Sequence, residues 1–127
     1  MLYAFLAGRI LFGFFHISSG INHFKSFNGY VQHAASKGVP APKLAILGTG
    51  TLLLLGGLSI LLGFQPPAGV AILVVFYLGV TPVMHNFWAV PPEQKQDQLV
   101  NFMKNVALLG AALMFLAIPR PWPFSVA

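Results

Sequence analysis

The chain has no cysteine. That excludes a disulfide, a thiolate nucleophile, a cysteine-held iron–sulfur cluster and a CxxC redox pair within it. Acids are almost as scarce: among 127 residues only Glu93 and Asp97 carry a carboxylate, and both lie in one polar stretch. A pair of buried carboxylates for general acid–base work or for clamping a metal cannot be built from them. With neither cysteine nor a buried carboxylate, no metal site is predicted. Charged residues make up 7% of the chain, whereas a soluble domain has about 25%. The net charge of +5 comes from a few dispersed bases, a pattern suited to anionic lipid headgroups rather than to nucleic acid.

What the chain has instead is apolar length. Four windows, Met1–Ile21, Leu44–Phe64, Ala68–Phe87 and Leu99–Ile118, are long and apolar, each near the roughly 20 residues that cross a hydrocarbon core about 30 Å thick. The second and third contain no Asp, Glu, Lys or Arg. The first is not read as a cleaved signal peptide, because it lacks a basic start and Arg9 interrupts its apolar run. The expected fold is an all-α membrane protein: one domain over residues 1–127, an antiparallel bundle of four transmembrane helices spanning about 2–22, 44–64, 68–87 and 99–118.

A connector of about 20 residues, Phe24–Lys43, joins the first two spans, and loops of that length usually carry structure or function. Phe24, Phe27, Tyr30, Val31 and Ala34 recur at helical spacing, with Asn28 suited to cap a short interfacial helix and Gly38 to end it. Gln65-Pro66-Pro67 forces a tight hairpin between the second and third spans. Gly56, Ser59 and Gly63 form a small-residue face on the second. Pro82 is expected to kink the third span. Pro92 and Glu93 suit the start of the fourth. Lys25, Lys37, Lys43 and Lys95 fall on the connector side and Arg120 on the side of the termini. The positive-inside rule then places both termini outside the cytoplasm.

Polar residues within the spans gather toward the connector side: His16, Ser19 and Asn22; Thr49 and Thr51; Thr81, His85, Asn86 and Trp88; Asn101, Lys104 and Asn105. On the first span Arg9, Gly13, His16, Gly20 and His23 are spaced by four, three, four and three, one continuous helical stripe. Such stripes turn inward in lipid. The expected site is a polar pocket open toward the connector, with Arg9, His16, Thr81, His85, Asn86, Trp88, Asn101, Lys104 and Asn105 as ligand-binding candidates. Arg9 and Lys104 carry the sharpest signal, since intramembrane cations without acids are functional candidates by default.

Plainer roles compete for several of these residues. Lys104 can snorkel to headgroups, and His85 can donate to a carbonyl freed by Pro82. Trp88 suits an aromatic belt, and Asn101 and Asn105 suit interhelical hydrogen bonds. Haem, which His16 and His85 could ligate, is not favoured, and no CxxCH is present.

Arg9-Ile10-Leu11-Phe12-Gly13, Gly38-Val39-Pro40-Ala41-Pro42, His85-Asn86-Phe87-Trp88, and Lys104-Asn105 with Ala107-Leu108-Leu109-Gly110 occur in this order over most of the chain. Together they resemble the bacterial DoxX family. The resemblance implies a four-helix inner-membrane protein. It also implies a link to thiosulfate:quinone oxidoreductase and to membrane oxidoreductase complexes of oxidative-stress defence, with Arg9, His85, Asn86, Trp88, Lys104 and Asn105 as motif positions. One departure stands out: relatives often carry a glutamate in the second span where this chain has Leu53.

Two functions follow as expectations, beside a third reading as a plain helix-bundle scaffold whose polar residues serve packing alone. One is a quinone-linked component that draws electrons from a flavin, a redox partner protein or a soluble donor. The other is a non-enzymatic binder, carrier or assembly factor for a lipid or small hydrophobic anion. Membrane lipids are partners in either case, and a homo-oligomer is compatible with both.

Overall fold

The computed structural model describes residues 1–126. It contains five α-helices: α1 (Leu2–Lys25), α2 (Phe27–Ser36), α3 (Pro42–Leu62), α4 (Pro66–Met84) and α5 (Pro92–Met114). Two single 3-10 turns follow α4 and α5, at Phe87–Ala89 and Phe115–Ala117. α1, α3, α4 and α5, the last two extended by those turns, are long and apolar enough to cross a membrane, and α2 is the short helix of the connector. α3, α4 and α5 each start on proline, whose missing N–H costs nothing in a first turn.

Boundaries differ from expectation for local reasons. α1 runs on to Lys25, because the Ser26 N–H still reaches the Asn22 carbonyl. α2 begins at Phe27 rather than being capped by Asn28. α4 stops at Met84: the His85 N–H closes the last turn on the Thr81 carbonyl, and His85 itself leaves helical geometry. Pro82, without an N–H, leaves the Leu78 carbonyl without its helical donor one turn earlier.

The most extensive helix contact is α1 with α3, followed by α3 with α4 and then α4 with α5. The α1–α3 seam is made of glycine. Gly13 and Gly20 of α1 face Gly57 and Gly50 of α3 so closely that an added Cβ would lie about 3 Å from the opposite backbone carbonyl at Gly13, Gly20 and Gly57. In a membrane, close helix approach through small residues replaces the hydrophobic drive that association has in water. The face expected at Gly56, Ser59 and Gly63 divides its work. Gly56 receives Leu73 of α4, Ser59 donates to the Phe64 and Gln65 carbonyls of the turn, and Gly63 ends α3 at φ 68°.

The bundle core is Leu53, Ile60, Val70, Leu73, Phe76 and Tyr77, joined by Trp122. Trp122 belongs to the proline-rich tail, which folds back onto the end of the bundle, and the Val126 N–H meets the Leu62 carbonyl. Large apolar side chains such as Leu11, Phe14, Leu55, Val75, Leu78 and Met103 face outward. In hydrocarbon such a surface is the solvated one.

Candidate functional site

A cavity of about 670 Å³ lies in the connector-side half of the bundle, walled by all four long helices and roofed by α2. That is the size of an ordinary small-molecule site. Most of the wall is apolar, including Phe15, Ile46, Leu53, Phe76, Val80 and Val83. Into it come Lys37, Lys104, Asn105, His23, His33 and His85, while neither Glu93 nor Asp97 reaches it.

His85, His23, Asn105, Lys37 and Lys104 are each oriented by a second contact. His85 Nδ1 lies 3.0 Å from Gln98 Oε1. With that oxygen accepting, Nδ1 carries the proton and Nε2 keeps its lone pair. His23 donates from Nδ1 to the Ser19 carbonyl at 2.8 Å, and its ring lies 4.4 Å from Tyr30 of α2. Asn105 donates to Thr81 Oγ1 at 3.2 Å, tying α5 to α4. Lys37 Nζ donates to Asn86 Oδ1 at 2.8 Å and pins the end of α2 to the segment after α4. The buried Ala34 seats the rest of that roof. Lys104 Nζ stands 5.9 Å from the Phe15 ring centroid, bridging α5 to α1.

Tyr77 joins the wall to a buried pair. Its hydroxyl is 2.5 Å from His16 Nε2, and His16 Nδ1 is 2.7 Å from the Phe12 carbonyl. A carbonyl only accepts, so Nδ1 carries the proton, Nε2 accepts, and Tyr77 donates. Tyr77→Phe strands the buried His16 nitrogen, and a Tm loss equivalent to about 1–3 kcal/mol is expected. Adding His16→Leu should recover part of it, because both partners are then gone. A double variant no more stable than Tyr77→Phe would reject the pairing.

The nine candidate residues therefore separate. His85, Lys104 and Asn105 line the cavity, Thr81 and His16 are buried one contact behind it, and Asn86 holds its roof. Asn101 and Trp88 are not on the wall. Trp88 is 56% exposed and packs its ring near Phe87 and Phe102.

Arg9 is elsewhere altogether. It is fully buried near the end of the bundle that carries the termini. Its guanidinium donates to the carbonyls of Ile60 (3.2 Å), Leu61 (3.0 Å), Pro123 (2.5 Å) and Phe124 (3.3 Å), and lies about 5.5 Å from the Phe5 and Trp122 rings. The carbonyls at the end of a helix have no partner within it and form the negative pole of its dipole. Arg9 thus finds backbone oxygens, with no Asp or Glu side chain paired to it among the described residues. It belongs to a clamp on α3 and the tail, separate from the pocket expected to contain it.

Tyr77, His23, His33 and Lys37 are wall residues outside the predicted set. Tyr77 was within reach of sequence reasoning, since it precedes Thr81 and His85 at intervals of four on the same helical stripe.

The DoxX family profile matches residues 4–86, from α1 to the end of α4. The chain belongs to the DoxX family. Inner membrane protein YphA of Escherichia coli (strain K12) is 34% identical over 122 residues, covering 95% of this chain and 86% of that protein. No solved structure matches. With four candidate spans, this DoxX protein is a multi-pass inner-membrane protein in contact with lipid. In it, Leu53 occupies the cavity wall and is almost wholly buried, leaving that wall without a carboxylate.

Proposed function

We propose that this DoxX protein binds an amphipathic ligand with an anionic or strongly hydrogen-bond-accepting head, its body against the apolar wall and its head toward Lys37, Lys104, Asn105 and His85. One observation carries the reading: a cavity enclosed by the four spans and α2 gathers two lysines and three histidines without any Asp or Glu side chain. Uncompensated cations there favour a ligand that brings the negative charge itself. A carrier, receptor or assembly factor for such a ligand needs no further chemistry.

The second reading makes the ligand a quinone within a membrane oxidoreductase system. The resemblance to quinone-linked relatives supports it, as does the lone pair on His85 Nε2, which suits a quinol hydroxyl. Electrons would come from a partner protein or a soluble donor. Support from family membership is associational, so the anion reading stands first.

Titration of the purified chain with hexadecyl phosphate and, separately, with ubiquinone and menaquinone separates the two. Saturable binding of the phosphate, weakened about tenfold or more in Lys104→Gln, is expected. Tight quinone binding insensitive to Lys104→Gln would move the assignment to the second reading. No binding of any of the three would reject both.

A further inference from the structure

We propose that the head of the ligand is a hydroxylated phosphate ester of the glycerol phosphate type. Its anion faces Lys37 and Lys104, and its hydroxyl groups donate to Nε2 of His23 and of His85. This rests on reading the cavity as a site for an anion-headed ligand. It adds what else that head must carry.

His23 comes from the last turn of α1 and His85 from the end of α4, and both line the cavity. Each has its Nδ1 committed, His23 to the Ser19 carbonyl at 2.8 Å and His85 to Gln98 Oε1 at 3.0 Å. A carbonyl oxygen only accepts, so in both rings Nδ1 holds the proton and Nε2 the lone pair. Neither Nε2 has a hydrogen-bond partner among the described residues. Yet no fully enclosed side-chain nitrogen or oxygen of a buried or half-buried residue there lacks one, so both Nε2 atoms border open space. For His23, only 8% exposed, that space is the cavity. Its place is fixed as well. Gly50 of α3 admits its Cβ at a distance no side chain would allow, and Tyr30 lies against its ring.

A fixed, unpartnered acceptor in a buried wall is satisfied by a donor that the ligand brings. An ammonium donor is repelled by the two lysines, and a second proton on either ring would add positive charge where no Asp or Glu side chain answers it. A metal ion would meet the same repulsion, and no three metal-binding side chains come together among the described residues. What remains is a neutral hydroxyl on the same head as the negative charge. A simple carboxylate has the charge without the donor; a quinol has the donors without the charge. A glycerol phosphate ester has one anion and two free hydroxyls, matching two cations and two acceptors.

Dioctanoyl phosphatidylglycerol and dioctanoyl phosphatidylpropanol share chains, charge and a three-carbon head, and differ in the hydroxyls. Native mass spectrometry and titration of the purified full chain with each read the result. Wild type should bind phosphatidylglycerol about tenfold or more tighter than phosphatidylpropanol. His85→Phe and His23→Phe should each shrink that preference by about threefold or more while phosphatidylpropanol binds as to wild type. His85 is half-buried at a helix end, so His85→Phe decides the matter even where His23→Phe fails to fold. Equal wild-type affinity for the two lipids, or an undiminished preference in His85→Phe, would overturn hydroxyl recognition and leave the anion site standing. Failure of wild type to bind either lipid would overturn both. Free glycerol phosphate separates the sources of this head: weaker binding than the lipid supports a lipid ligand, and equal binding supports a soluble ester.

Discussion

Arg9→Leu should lower the unfolding free energy by on the order of 4 kcal/mol, the largest stability loss expected from a single side chain here. Four carbonyls lose their donor at once: two at the end of α3 and two in the returning tail. The Ile60 contact is buried and those to Leu61, Pro123 and Phe124 are part-buried. A buried acceptor left unsatisfied costs about 1–3 kcal/mol; partial relaxation of the tail keeps the total below the simple sum. Arg9→Lys should recover less than half of the loss, since an ammonium on a flexible stem cannot reproduce a planar fork that serves two chain segments together. Thermal unfolding in detergent measures the loss.

The tail supplies a separate readout. The chain has no cysteine, so Ser125→Cys introduces a unique thiol beside Gly63. Its labelling by a maleimide should accelerate sharply when Arg9 is replaced. Unchanged melting together with unchanged labelling in Arg9→Leu would mean that the guanidinium holds nothing in place.

Gly57→Val is the second. A Cβ at Gly57 would lie 3.0 Å from the Gly13 carbonyl oxygen, 3.0 Å from Ile17 Cγ1 and 3.1 Å from His16 Cβ. Ile17 can rotate away; a backbone carbonyl cannot. α1 and α3 must separate, and overpacking of this kind costs about 1–3 kcal/mol, with the branched valine methyls placing it at the upper end. The damage extends beyond the seam, because His16 lies against it and holds Tyr77 of the cavity wall. Gly57→Val should therefore lose both thermal stability and ligand. Gly48→Val, on the same helix but facing open space, should stay within about 0.5 kcal/mol of wild type. Similar melting for the two valine variants would show that the glycine seam is not what holds α1 to α3.

The helix periodicity made part of this site legible before any coordinates. Arg9, Gly13, His16, Gly20 and His23 form one stripe in the sequence, and the same five are the buried residues of α1. Likewise His85, Lys104 and Asn105 meet in one cavity as their depth suggested. Depth and helical face are local properties, so spacing reports them. Arg9 shows where that reasoning stops. Its place on the stripe announced burial correctly, yet its partners lie 51 to 115 residues away along the chain, and all are backbone oxygens. A carbonyl leaves no mark in a sequence, so the missing acids suggested a bound anion where the structure supplies helix ends. Lys37 and His33 reach the wall because α2 folds over it, an arrangement no periodicity within α2 specifies.

The amino-acid order by itself determined that four apolar segments cross a membrane as helices, which faces of them turn inward, and that the charge within is positive. These follow from side-chain chemistry and a repeat of 3.6 residues acting over a few turns. Tertiary structure alone decided the separation of Arg9 from Lys104, the return of the tail and the roof formed by α2. Those depend on which distant backbone groups and surfaces come together, and long-range pairing is chosen by packing of the whole bundle rather than by any one segment.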